Sequence, residues 1–270
     1  MHLKLIFTYI ILYMCVSQAY SQSAINYYSH YNDFSDAHKA RLKRFYIGYG
    51  IPSMSIDVSA HYVSKGNGNS TPPVAAIDAT SETTVGCNKS FGGQAGVFKP
   101  FLRTGAESAI GYEIAASAYF YRYNIGPLSY GSATFSDQSV AEIIGVPLGI
   151  AFKSGGEVTH NKHNKSLISF GFGLEPAGCL SKIIASDENF IVREYGMLEV
   201  GVFAGIAWKL RATYYSGNVV LVNKLSDPLQ NVSSYKVSGP MGTMDVKAVG
   251  ASDFNIALLL MPFSWNWDKE

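Results

Sequence analysis

Charge is scarce in this chain. Only 15% of its 270 residues are Asp, Glu, Lys or Arg, against about 25% in an ordinary soluble domain, so a surface densely studded with ions is excluded. The charges also cancel, with 21 Lys and Arg facing 20 Asp and Glu. The basic surplus that would neutralise a phosphate backbone is missing, which removes nucleic acid as a partner. Cysteine is rarer still, at 3 residues, too few for a disulfide-dense scaffold. No apolar run reaches the ~20 residues a membrane-spanning helix requires. The sequence contains no G-x-S-x-G elbow and no phosphate-binding P-loop. Gly48-Tyr49-Gly50 and Gly171-Phe172-Gly173 lack the third glycine and following helix of a dinucleotide fingerprint. No cofactor is implied.

What is abundant is hydrophobic residues, at 47%, together with 26 Gly, 18 Tyr and 15 Phe. The start, MHLKLIFTYIILYMCVSQAYSQ, places Lys4 before an apolar stretch from Leu5 to Val16 and then Ala19-Tyr20-Ser21. This is the pattern of a secretory signal peptide cut after Ser21, giving a domain reading of 1–21 signal, 22–43 polar leader and 44–267 main domain. Losing Lys4 leaves 20 basic residues against 20 acidic ones. Ser35 can cap a short helix from Asp36 to Lys43 at the end of the leader. With Cys15 removed, Cys87 and Cys179 form an even pair in an oxidising compartment, either joined or separately buried.

From Arg44 onward hydrophobicity follows a period of two, which reads as β-strand. Strands are expected near 44–62, 95–104, 108–123, 139–153, 166–179, 194–206, 209–218 and 253–265. In the first, the apolar parity is Phe45, Ile47, Tyr49, Ile51 and then Met54, Ile56, Val58, Ala60, Tyr62, a slip that predicts a bulge or break at Pro52-Ser53. The last strand is apolar on both parities. Long polar connections are expected at 63–94, 124–138, 180–193 and 219–252, with shorter turns between them. That alternation suits a barrel with long outer loops and short inner turns.

Alternation by itself also fits a soluble barrel or a sandwich. The second face decides between them: it carries Gly, Ala, Ser, Thr and Tyr with scattered charges, not the Lys and Glu of a water-facing wall. Small residues suit the lumen of an eight-stranded barrel, which side chains just fill. In LEVGVFAGIAWKLRATYYSG, Leu198, Val200 and Val202 then face lipid while Glu199, Gly201 and Gly205 face inward. The inward charges are read as Asp57, Lys99, Arg103, Glu113, Glu175, Glu199 and Arg211, mixed in sign as a mutually satisfied buried network must be; the sharper alternative is an ion pathway. Tyr112, Phe120, Trp208, Tyr214, Trp265 and Trp267 lie near strand ends, where aromatic girdles form.

The order IIGVPLGIAFK, SLISFGFGLEPAG, LEVGVFAGIAWKLRATYYSG and a closing aromatic strand resembles the second half of the outer-membrane β-barrel family of PorT-like and small OmpA-like proteins, over about residues 138–267. The tail departs from that family, because Trp267 is followed by Asp268-Lys269-Glu270. The resemblance implies a bacterial outer-membrane location, membrane lipid as the surrounding partner and the barrel-insertion machinery as a transient one. It leaves the partner of the loops unspecified.

Other motifs carry less. His160 and His163 have an H-x-x-H spacing in a polar turn with Glu157 as the near acid, short of a metal site. Ser59 and His61, read on the inward parity of the first strand, are the raw material of a hydrolase without any spacing that assembles one. Sequons begin at Asn69, Asn88, Asn164 and Asn231, in chance abundance among Asn- and Ser-rich connections. The expectation is an all-β, closed, up-and-down transmembrane barrel of about eight strands with a filled lumen, non-catalytic, binding or supporting the envelope through its outer loops. A narrow channel and a secreted barrel for a small apolar ligand are the alternatives.

Overall fold

The computed structural model describes residues 42–65, 75–130, 133–160, 166–183, 185–226 and 243–267. The signal segment, most of the leader and the tail after Trp267 lie outside them. Among the described residues eleven strands form: β1 (Phe45–Ser64), β2 (Ile77–Val85), β3 (Cys87–Gly105), β4 (Ser108–Tyr130), β5 (Ala133–Gly145), β6 (Leu148–Gly155), β7 (Ser166–Ile183), β8 (Ala185–Ala204), β9 (Ile206–Ser216), β10 (Val219–Ser226) and β11 (Thr243–Met261). All pairings are antiparallel, and β11 pairs with β1, so the sheet closes on itself. Three pairs of strands act as single staves. β2 and β3 both run along β1, β5 and β6 both lie between β4 and β7, and β9 and β10 both run along β11. The ring therefore has eight staves.

The expected count is met, but the extents are not. The stretches 77–94, 124–130, 180–183, 219–226 and 243–252, expected as parts of long polar loops, are strands that continue the barrel wall outward. Their outward residues are largely polar, so they lack the greasy face by which a spanning strand is recognised. β2, IDATSETTV, turns Asp78, Thr80, Glu82 and Thr84 outward.

Side-chain facing along β1 is continuous: even-numbered residues from Met54 to Ser64 are buried, and odd-numbered ones are exposed or half-exposed from Ile47 upward. No slip occurs at Pro52-Ser53. The apolar parity changes because the surroundings change. From Ile47 to Ile51 the outward side is apolar, while from Met54 to Tyr62 the inward side is apolar and Asp57, Ser59 and His61 face out. The irregularity instead lies in β11, where Met54 pairs with Asp253 but Ile56 pairs with Gly250.

The wall is thus apolar outside over one half and apolar inside over the other. In the inner half, Ile47, Tyr49, Ile114, Ile150, Ile168, Phe170, Phe172, Leu198, Val200, Val202, Leu210, Ile256 and Leu258 are exposed on the outside. In β7 this band runs over the nine residues Ser166–Leu174, and nine tilted residues suffice to cross a ~30 Å hydrocarbon layer. In the outer half, Ile56, Val58, Tyr62, Tyr121, Tyr123, Ile143, Cys179, Ile191, Val222 and Val246 pack in the interior. There the wall parts. β10, β11, β1 and β2 form one four-stranded half; Asn124–Tyr130 of β4 pairs only with β5, and Ala185–Arg193 of β8 pairs only with β7, forming the other. Side chains bridge the β8–β10 seam, where Asn189 Nδ2 donates to Leu221 O (3.1 Å) and Asn223 N donates to Asp187 Oδ2 (3.2 Å), and Ser181 Oγ of β7 also donates to Leu221 O (2.5 Å).

The inner end is closed as well. After β6 the chain makes a four-residue helical turn, α1 (Gly156–Thr159), whose Gly156, Glu157 and Val158 are buried. Gly155 enters it at φ 105°, and a Cβ there would meet Ser166 O at 1.9 Å, so only glycine fits. Trp267, expected in an outer girdle, is fully buried: its indole N–H donates to Lys43 O (3.2 Å) and its ring stacks on Phe203. Tyr112, Trp208, Tyr214 and Trp265 do face outward.

Candidate functional site

The most elaborate side-chain chemistry among the described residues sits inside the barrel, at the height of the apolar band. Glu113 from β4, Lys153 from β6, Glu157 from α1, Glu199 from β8, and Lys209 and Arg211 from β9 are all buried and converge there. Three carboxylates meet three cations. Lys153 Nζ lies 2.9 Å from Glu113 Oε2, 3.2 Å from Glu157 Oε1 and 3.1 Å from Glu199 Oε2. Lys209 Nζ lies 3.2 Å from Glu157 Oε2 and 3.4 Å from Glu199 Oε1. Arg211 joins Glu113 to Glu199: its Nε donates to Glu199 Oε1 (2.7 Å) and its Nη2 to both carboxylates. Tyr46 donates its hydroxyl to Glu113 Oε1 (2.7 Å) and lies beneath Arg211 and Lys209, whose charged heads are 4.6 and 4.8 Å from its ring centre. A charged cluster this deep is tolerable only because each ion has several opposite partners.

Alternation explains the convergence. Glu199, Gly201, Lys209 and Arg211 share the inward parity of a hairpin in which Glu199 pairs with Arg211 and Gly201 with Lys209. A Cβ on Gly201 would meet Lys209 Cγ at 2.9 Å and Leu167 Cδ1 at 3.2 Å. Glycine on the reverse of a greasy strand makes room for a partner's long side chain.

A second cluster lies outward of the first. Arg193 donates from Nη1 to Asp253 Oδ2 (2.9 Å) and from Nε to Glu175 Oε2 (2.8 Å), and its guanidinium lies 3.9 Å from the Tyr215 ring centre. Ser117 donates to Glu175, and Tyr121 to Asp253 Oδ2 (2.5 Å). Beyond it comes the apolar core. The lumen therefore holds, from inner end to outer end, the α1 turn, a charged layer, a second charged layer and a packed hydrocarbon layer.

Of the seven charges expected inside, Glu113, Glu175, Glu199 and Arg211 are there. Asp57 and Lys99 are not; they are exposed on the outer surface. Arg103 keeps the inward side, opposite the buried Ala109, but it lies at the exposed inner rim and outside the network. Asp57 faces out because β1 keeps one facing through Pro52-Ser53 without a slip, and it accepts a hydrogen bond from Thr84 Oγ1 (2.6 Å) on the outer wall. Lys99 was placed by taking Phe98 as outward, whereas Phe98 is buried beneath Lys153, whose ammonium lies 4.9 Å from its ring centre. Register shifts follow Pro100 and Arg103. Lys153, Glu157, Arg193, Lys209 and Asp253 were missed. Lys153 and Lys209 share parity with Ala151 and Arg211, so a stricter count along each strand finds them; Arg193 and Asp253 fall in stretches taken for loop or ambiguous strand, and Glu157 comes from a turn.

Cys87 and Cys179 are both free thiols; the pairing does not form. Both lie in the outer half, Cys179 buried in the apolar core and Cys87 packed against it. Burial pushes the Cys179 thiol up to about 12, so it is not a thiolate at neutral pH and is chemically quiet. Ser59 and His61 face outward, not inward, and His61 Nε2 lies 2.8 Å from Asp78 Oδ1 on the outer wall. Among the described residues no group of three or more His, Cys, Asp or Glu side chains is placed to hold a metal ion. The ring of His160 lies 6.1 Å from that of Trp267, while His163 is outside the described residues. Of the sequons, Asn88 is exposed on β3; Asn69, Asn164 and Asn231 lie outside.

No family model and no curated protein matches the sequence. Among solved structures the chain is similar in outline to the outer membrane protease OmpT from Escherichia coli, at 6% identity over 80% of this chain and 96% of that one, TM-score 0.38. It is similar also to Neisserial surface protein A, at 8% identity over 80% and 96%, TM-score 0.32, and to Ail, the attachment invasion locus protein of Yersinia pestis, at 8% over 76% and 98%, TM-score 0.27.

Proposed function

We propose that this is a small, non-catalytic bacterial outer-membrane barrel, exported by its first 21 residues, that acts through its raised outer end while its lumen stays shut. One observation carries the reading: the wall is apolar outward over a band one hydrocarbon layer high, while the space inside is filled from end to end. A surface apolar toward its surroundings and ionic toward its interior is the reverse of a soluble barrel. The outer half, with Asp57, Asp78, Thr80, Glu82, Asp245 and Lys247 facing out, presents a wettable wall beyond the apolar band, at the end of a barrel where function concentrates. The pattern likeness of residues 138–267 to PorT-like barrels agrees with the same address, with lipid and insertion machinery as partners.

The test combines membrane fractionation with planar-bilayer recording. The mature chain is expected in the detergent-extracted outer-membrane fraction, to migrate heat-modifiably on gels, and to give no discrete conductance steps. Recovery in the soluble fraction would overturn the membrane reading; steady steps would replace a sealed cylinder by a channel.

A further inference from the structure

Glu157 differs from its neighbours in how it reaches the charged layer. Glu113, Lys153, Glu199, Lys209 and Arg211 project from barrel strands, fixed by ladders on both sides. Glu157 comes from α1, a single turn flanked by Gly155 at φ 105° and His160 at φ 54°. That turn is held by the buried Arg44, just before β1, whose Nε donates to Glu157 O (3.3 Å) and whose Nη2 donates to Val158 O (3.1 Å). The carboxylate oxygens are divided between two ammonium groups, Oε1 at 3.2 Å from Lys153 Nζ and Oε2 at 3.2 Å from Lys209 Nζ.

We propose that Lys153 and Lys209 form a carboxylate-binding site facing the inner end of the barrel, and that Glu157 occupies it as a built-in ligand. With Glu157 withdrawn, three cations face only Glu113 and Glu199, so the site lacks one negative charge. A monoanion restores the balance; a dianion overshoots it beside Glu199, which already approaches both ammonium groups at 3.1 and 3.4 Å. Two ammonium groups bracketing two oxygens match a carboxylate better than a spherical halide. The ring of Tyr46, 5.9 and 4.8 Å from the two ammonium nitrogens, adds to the fixed orientation of the pair. The ligand class is a small carboxylate, or a carboxylate side chain of a chain arriving from the inner side. This inference is independent of what the outer end binds.

Chemical rescue tests it. Full-length Glu157→Ala protein, folded in detergent micelles as judged by heat-modifiable migration, is melted in sodium acetate and in sodium chloride at equal ionic strength. The expected result is a saturable, acetate-specific rise in Tm of roughly 5 °C near a hundredfold excess over Kd, absent from the parent protein and from Glu157→Ala/Lys209→Met. If Glu157→Ala fails to fold in chloride, the fraction refolded in acetate against chloride is read instead, with the same sign expected. Equal responses to acetate and chloride, an equal response in the parent, or no response to acetate in folded variant would each overturn the site.

Discussion

Replacing Arg211 by Ala is expected to cost about 3–5 kcal/mol of stability, the usual penalty for removing one partner from a buried ion pair. Urea unfolding in micelles, followed by the loss of heat-modifiable migration, would measure it. The size of the effect comes from what is left behind. Arg211 connects Glu113 to Glu199, donates from Nη1 to Tyr46 OH (3.0 Å) and covers the Tyr46 ring. Without it, three carboxylates share two lysines in a layer closed to water at both ends. Arg211→Lys keeps the charge but loses the planar fork that joins two acids, so it is expected to fall between wild type and Ala. Arg211→Met with Glu199→Gln restores the charge balance and is expected to cost less than the sum of the two single changes. If Arg211→Ala unfolds at the parent's urea concentration, the buried network is not what holds the inner half together.

A lysine placed on the outer side of the band is expected to act almost as strongly, by a different route. Leu198 is 65% exposed, between Phe170 and Ala212 of the neighbouring strands. In water such a substitution on an exposed strand position changes little. Facing hydrocarbon, Leu198→Lys should cost about 2–4 kcal/mol near mid-layer, whereas Thr80→Lys, equally outward but on the raised wall, should stay within about 0.5 kcal/mol. The same chemical change at two heights thus separates lipid from water as the outer solvent. Equal, small effects would mean that both positions are wet.

The contrast between these positions also explains what could be read from sequence. The band announces itself: Leu198, Val200 and Val202 alternate with Glu199 and Gly201, and the strand, its direction and its inward charges follow from that beat. The raised wall was hidden because the rule that identifies a strand by its apolar side had been tied to the outside. In β1 the apolar residues move from odd positions to even ones between Ile51 and Met54, which looks like a slipped register, yet the chain turns nothing over: the apolar side passes from the outside of the wall to its interior. Asp57 was misplaced for that reason alone. In β2 the inward residues Ile77, Ala79 and Val85 are few and small, and Thr and Ser dilute the pattern to that of a loop. The pairing of β2 with β1 is a long-range fact that no local window contains. Glu157 was invisible for a third reason, since nothing in GEVTH says that a turn folds back into the lumen.

The central claim, one continuous wall passing from lipid into water, is tested most directly by a nitroxide scan along β1, with Cys87 and Cys179 replaced by Ala and the protein in bilayers. Labels at Ile47, Tyr49 and Ile51 are expected to be relaxed by dissolved oxygen and shielded from a water-soluble nickel chelate. Those at Asp57, Ser59 and His61 should show the opposite preference, and those at Ile56, Val58 and Ala60 should be shielded from both. Chelate reaching Ile47 through Ile51 as freely as Asp57 through His61 would contradict the account.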